Sequence, residues 1–326
     1  MQPGSRRSRA AFGVLAAVAL LACGTRTRAA GDTPAAPLPA ARASASGAER
    51  SAPGIAPFAA GACAGPADPA PDPAWAGPAP RTSSGFRNPG MAETEPRWGA
   101  LLRWQWQRLL SGLPRDVPGG WHPAVMQPDL EPFRARRPEP RIVWLGHDTF
   151  LLAVGGTLVM TDPQLSERAG PLSFIGPRRR VPVPVAIGAL PHVDIVVISH
   201  NHYDHLDRAT VLGLNAQAGG PPLFLVPLGA GAWMRGQGIG NVRELDWWDS
   251  VNARGLKVVF VPARHFSGRT PFAVNRSLWG GWIVDHPTFR FYFAGDTGYG
   301  SLFREIGRRF APIDLAAIPI GSYEPR

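Results

Sequence analysis

The stretch His200-Asn201-His202-Tyr203-Asp204-His205 sets four groups able to ligate a metal within six residues. The chain has only eight histidines in 326 residues. Three in one hexapeptide therefore point to a site rather than to scattered surface histidines. Imidazole and carboxylate suit zinc, with iron or manganese as alternatives. The pattern suits two adjacent ions, one served by His200 and His202, the other by Asp204 and His205. Further along, His265 and Asp296 each follow an apolar run. Asp296 lies in Gly295-Asp296-Thr297-Gly298. Its two oxygens and its charge suit a bridge between cations, and the glycines let backbone approach closely. Two such cations would lower the pKa of a bound water and hold it as hydroxide, the nucleophile of a hydrolase. They would also take up charge growing on phosphoryl oxygens. In this reading Asp204 and Asp296 carry the catalysis, Asp296 also orienting the nucleophile.

These side chains need strands to place them. Residues 193–199 form an apolar run that reads as a buried strand. Successive side chains of a strand face opposite ways, so His200 and His202 would point to one side. Residues 257–264 read as a strand delivering His265, and residues 289–294 as one delivering Asp296. The run 157–160 ends in Thr161-Asp162-Pro163, where Asp162 could orient a ligating histidine from behind. Residues 208–217 and 301–310 read as helices, the first with Asp207 as its N-cap. Short apolar strands recur from 141 to 321, broken by Gly and Pro turns. Strands followed by a strand–metal loop–helix unit predict an α/β fold in which two sheets are sandwiched between helices.

The order Asp162, His200-x-His202-x-Asp204-His205, His265, Asp296 resembles the metallo-β-lactamase fold superfamily. Narrower words resemble the N-acylphosphatidylethanolamine-hydrolysing phospholipase D family. They include Trp144-Leu145-Gly146-His147, Glu244-Leu245-Asp246-Trp247-Trp248, Phe293-Ala294-Gly295-Asp296-Thr297-Gly298-Tyr299 and the final stretch 318–326. The similarity runs from about Phe86 to Arg326. It implies an αββα sandwich holding two zinc ions on His200, His202, Asp204, His205, His265 and Asp296. It also implies cleavage of the distal phosphodiester of N-acylphosphatidylethanolamine, giving an N-acylethanolamine and phosphatidic acid. Tyr203 and His147 are candidate groups facing the substrate. The superfamily usually adds a later histidine at the second metal, whereas no histidine follows His286 here. On the resemblance, the catalytic domain is expected to be truncated at its C-terminus, with water or nothing in that place. The alternatives are a hydrolase of another bond, such as a sugar-phosphate lactone, or an inactive lipid-anchored fragment.

The remainder of the chain sets the context. Arg6, Arg7 and Arg9 precede an apolar run that ends in Leu20-Leu21-Ala22-Cys23. Residues 1–22 read as a lipoprotein signal peptide, with Cys23 taking the lipid. The expected location is a bacterial membrane facing the periplasm, with a phospholipid substrate. The apolar run is too short to span a bilayer. Cys63, the only other cysteine, is left without a disulfide partner. Residues 23–85 are dominated by Ala, Pro, Gly and Ser and read as a disordered tether. Roughly 60 such residues reach about 40 Å. Residues 86–140 read as an N-terminal extension of a catalytic domain that spans 141–326. Within that extension, residues 97–113 carry a Trp- and Arg-rich helical pattern, expected to pack on the domain or meet a membrane interface. Net charge is +10, nearly all of it arginine, and Lys257 is the only lysine. The cluster Arg178-Arg179-Arg180 reads either as a phosphate-meeting patch or as a solvated loop. No basic pattern interleaved with aromatics favours nucleic acid.

Overall fold

A short run such as Ile195–Val197 can be apolar throughout only if both faces of its strand are covered. Here they are. The computed structural model describes residues 72–90, 124–179, 181–270 and 273–321, all within the unit Ala64–Arg326. Their strands form two sheets. The first runs β1 (Arg141–Trp144), β2 (Phe150–Val154), β3 (Thr157–Thr161), β4 (Ile195–Val197), β5 (Leu223–Pro227) and β6 (Val242–Leu245), in that spatial order. Its first two pairings are antiparallel and the next three parallel. The second contains β7 (Ser250–Ala253), β8 (Leu256–Pro262), β9 (Gly280–His286), β10 (Phe289–Phe293) and β11 (Leu315–Ala317). Its spatial order is β11-β10-β9-β8-β7, antiparallel except for β10 with β11.

Five short α-helices and a 3-10 helix at Ile187–Ala189 complete the described elements, the α-helices being α1 (Pro73–Ala76), α2 (Glu131–Arg134), α3 (Arg208–Asn215), α4 (Gly231–Gly236) and α5 (Leu302–Phe310). The period of two in β4 sorts its residues between two cores. Ile195 and Val197 join Phe260, Trp282 and Phe293 between the sheets. Val196 and Ile198 join Val211, Leu214 and Met234 under α3 and α4. On β10, Phe293 packs edge-on against Phe150 of the first sheet, while Tyr292 meets Phe303 of α5. The layers are thus helices, sheet, sheet, helix, the αββα sandwich that the strand pattern implied. Asp207 caps α3, accepting from Thr210 N at 3.3 Å. The sheets are laced where β4 ends: Trp282 Nε1 donates to Ile198 O at 3.0 Å, and Gly280 N to Ser199 O at 3.0 Å.

One expectation is corrected. Residues 72–85 belong to the domain, not to a tether. Asp72 caps α1 by accepting from Ala74 N, and Trp75 is buried against Trp247 with ring centroids 5.7 Å apart. Ala79 N donates to Asp246 Oδ1 at 3.0 Å, and Trp248 Nε1 to Trp75 O at 3.0 Å. An average over a Pro- and Ala-rich stretch conceals one large aromatic anchor. The leader, Cys23, Cys63, residues 24–71 and 97–113, Arg180 and residues 322–326 lie outside the described residues. Among the described residues no helix is long and apolar enough to cross a membrane.

Candidate metal centre

The strand that leads to the histidine motif stops before it. Ile198 N still donates to Leu225 O of the next strand, but Ser199 N donates to Asp162 Oδ1 at 2.6 Å. The chain therefore leaves the sheet at Ser199. His200 and His202 are loop residues, and their common direction is set by the loop, not by the strand pleat expected from the sequence. His200 Nε2 lies 2.7 Å from His202 Nδ1. His202 O then accepts from His205 N and Leu206 N. That turn brings Asp204 and His205 back toward the same mouth.

His265 follows β8 and is clamped by Asn88, whose Nδ2 donates to His265 O at 2.7 Å and whose Oδ1 accepts from His265 N at 3.2 Å. His265 Nε2 reaches 3.4 Å from His202 Nδ1. The ligand atoms of His200, His202 and His265 all lie within 4.8 Å of one another. Asp296 follows β10 through Gly295, whose φ is +58°. A Cβ at Gly295 would meet Ser199 Cβ at 2.6 Å, so glycine lets this turn press against the start of the motif. Asp296 Oδ2 stands 3.5 Å from His205 Nε2 and 3.5 Å from His265 Nε2. It thus lies between the two halves of the site.

Asp162 is fully buried and accepts from Ser199 N and from His205 Nδ1, the latter at 2.8 Å. Holding that nitrogen turns the other ring nitrogen, Nε2, toward Asp204 and Asp296. Asp162→Asn is expected to keep the fold and lower metal affinity by about 10- to 100-fold. Metal-competition titration checks this, and unchanged affinity would remove Asp162 from the site.

The electrostatics suit cation ligation. Burial, reinforced by the neighbouring imidazoles, holds His200 well below its ordinary pKa, and burial pulls His202 down to about 4. Both rings are therefore neutral, with lone pairs free. Burial works against ionisation of Asp296, yet the hydrogen bond and charge of His205 outweigh it and bring Asp296 down to about 2. Asp204 is likewise held below the usual range by His147 and His205 despite its burial. Burial pushes Asp148 up to about 6. Asp148 Oδ2 is buried without a hydrogen-bond partner, 3.4 Å from His205 Nδ1. Neutral imidazoles at His200 and His202, ionised Asp204 and Asp296, and one orphaned carboxylate oxygen fit a divalent metal. His205, whose pKa is raised, despite its burial, by hydrogen bonds to Asp162 and Asp296, holds a proton in the place a cation would take.

Two residues go beyond expectation and two escaped it. The Tyr203 hydroxyl donates to Arg269 O at 2.9 Å, and the Arg269 guanidinium stacks on its ring. Its ring lines the cavity, but its proton is committed to the protein rather than to a substrate oxygen. His147, read as a pocket wall, does line the cavity and also stands among the ligand atoms with Asp204 and His205. Asp148 and Asn88 were not singled out from the sequence. The adjacency of Asp148 to His147 was the one available signal, and no spacing pointed to Asn88. Of the arginine cluster, Arg178 pairs with Glu167 at the surface, while Arg179 donates to Gln164 O at 2.6 Å. A cavity of about 490 Å³ opens from the site, lined in part by Trp144, His147, Arg178, His202, Tyr203 and Asp204.

Residues 157–326 match the family model described as a beta-lactamase superfamily domain. An uncharacterized protein of Mycobacterium tuberculosis is 50% identical over 184 residues, covering 56% of this chain and 49% of that protein. An N-acyl-phosphatidylethanolamine-hydrolyzing phospholipase D of Caenorhabditis elegans is 43% identical over 196 residues, covering 56% of this chain and 54% of that one. A UPF0173 metal-dependent hydrolase of Methanopyrus kandleri is 30% identical over 192 residues, covering 56% of this chain and 72% of that protein. The chain thus spans about half the length of the first two relatives.

Proposed function

This chain belongs to the beta-lactamase superfamily, and from that membership we propose that it is a metal-dependent hydrolase of phospholipid phosphodiesters. The substrate class is N-acylphosphatidylethanolamine-like lipid. The observation that carries the reading is the convergence of His205 and His265 on Asp296 Oδ2, each at 3.5 Å. One carboxylate oxygen between two donor groups suits a two-ion centre. His200, His202 and His265 would hold one ion, Asp204 and His205 the other, with Asp296 shared. When bound, such ions supply Lewis acidity toward a phosphoryl oxygen and lower the pKa of a water. Zinc suits the donors, as do iron and manganese.

The chain's own residues do the rest. Asp162 fixes the His205 ring, and Asn88 fixes the backbone at His265. The cavity beside Asp204 gives the substrate a wall that is apolar at Trp144 and Tyr203 and cationic at Arg178. Next to it, the loop holding Leu172, Phe174 and Ile175 leaves all three exposed, Phe174 by 72%. Apolar side chains flanked by Arg168 and Arg178 suit the surface of a lipid bilayer. The phosphodiesterase named for the Caenorhabditis elegans relative agrees with this substrate. Attachment through a lipidated Cys23, facing the periplasm, would hold the site beside such a surface.

The test is hydrolysis of N-acylphosphatidylethanolamine in mixed vesicles by the purified protein. Release of N-acylethanolamine and phosphatidic acid is expected, abolished by a chelator and restored by zinc. A loaded protein that opens sugar-phosphate lactones and leaves phosphodiesters intact would end the phospholipase reading.

A further inference from the structure

We propose that His147 is a direct ligand of the second ion, completing with Asp204, His205 and Asp296 a four-donor site. The inference deepens the metal assignment above and rests on it. The match to the family model begins at residue 157, so His147 lies outside the matched segment and draws no role from it.

His147 Nε2 is 3.4 Å from His205 Nε2 and 3.2 Å from Asp204 Oδ2. His205 Nε2 is 3.7 Å from Asp204 Oδ2 and 3.5 Å from Asp296 Oδ2. A tetrahedral zinc with bonds of about 2.0–2.2 Å separates its ligand atoms by about 3.3–3.6 Å. These four separations are close to the edges of such a tetrahedron, and the ligand atoms of His147, Asp204 and His205 form one compact group that Asp296 joins through His205.

Asp162 takes the hydrogen bond at His205 Nδ1, 2.8 Å away. In the neutral ring this leaves a lone pair on Nε2. That lone pair faces two carboxylate oxygens and His147 Nε2, whose own proton goes to Asp204 Oδ2, 3.2 Å away, when no cation is bound. One proton can serve one pair of these atoms, whereas a divalent cation serves all four.

Leu145 N donates to Thr149 O and Thr149 N to Gly146 O, closing a tight connection between β1 and β2. Gly146 has φ +100° and His147 φ +49°. A left-handed histidine is held at an energetic cost that surrounding contacts must maintain. Trp144 Nε1 supplies one, donating to His147 O at 2.6 Å. The hairpin is built to aim the ring at the motif loop. An imidazole serving only as a pocket wall would need neither the turn nor the convergence.

The experiment is a zinc titration of the 326-residue protein against a competing chelator, repeated with cobalt(II) so that each ion is read by its absorption. The unaltered protein is expected to take two ions. His147→Ala should keep one ion on His200, His202 and His265, while the second binds at least about 10-fold more weakly, since even an outer partner of a metal ligand is worth that much. His147→Gln, which retains a hydrogen bond to Asp204 but not an imidazole nitrogen, should behave as the alanine variant does. The cobalt absorption of the second equivalent should change in both. The proposal is overturned by two unchanged ions in His147→Ala, by recovery in His147→Gln, by loss of both ions together, or by an unaltered protein that takes only one. Since no substrate enters, failure here leaves the phospholipid assay standing, and failure of that assay leaves this site standing.

Discussion

His205→Ala is expected to lower kcat/KM by about a thousandfold or more. Loss of one ion's Lewis acidity removes several kcal/mol of transition-state stabilisation, and each 1.4 kcal/mol is tenfold. His205 is the side chain through which the largest number of site interactions pass. It is fully buried, holds Asp162 through one nitrogen and faces Asp204, Asp296 and His147 through the other. Its removal also leaves the buried Asp162 carboxylate with Ser199 as its remaining partner. Breaking a buried charged pair costs about 3–5 kcal/mol, and the two Ser199 donors should keep this case near the lower figure. Kinetics and urea unfolding should therefore both move. His286→Ala, at the far end of β9 from the site, should leave kcat/KM unchanged. Retention of more than a tenth of the activity in His205→Ala would remove His205 from the centre.

Trp282→Ala carries the largest expected loss of stability, about 3–5 kcal/mol. Trp282 is among the largest fully buried side chains, packs on Phe260 at a centroid distance of 4.6 Å, and donates to Ile198 O. Ile198 directly precedes Ser199, where the chain turns into the motif. The same indole therefore fills the space between the sheets and anchors the end of β4. Trp282→Phe should recover most of the packing and lose only the hydrogen bond, about 1 kcal/mol. Thermal unfolding separates the two variants. A Trp282→Ala midpoint within a degree or two of the unaltered protein would show that the sheets do not depend on this link.

These two residues differ in how visible they are before folding. His205 announces itself, because a ligand-rich hexapeptide after an apolar run is a local signal. Trp282 is one tryptophan among eleven, and nothing near it in sequence separates it from the rest. The strands were legible for the same reason as His205: a strand's period of two is written over a handful of residues, as in β4 and β10. So was the cap Asp207, since a cap acts three residues away.

The sequence by itself determined the ligand types, their order along the chain, the strands that deliver them and the αββα class those strands imply. Only the tertiary structure decided which atoms meet. It places His147 against His205 from 58 residues away and Asn88 against His265 from 177. It commits the Tyr203 hydroxyl to Arg269, draws Trp75 out of an apparent tether, and hands the aim of His200 and His202 to a loop held by Asp162. The physical reason is range. Periodicity and capping act over a few residues and survive in the order of the letters. The meeting of distant polar atoms depends on how two sheets pair and twist, and a single chain read linearly carries no measure of that.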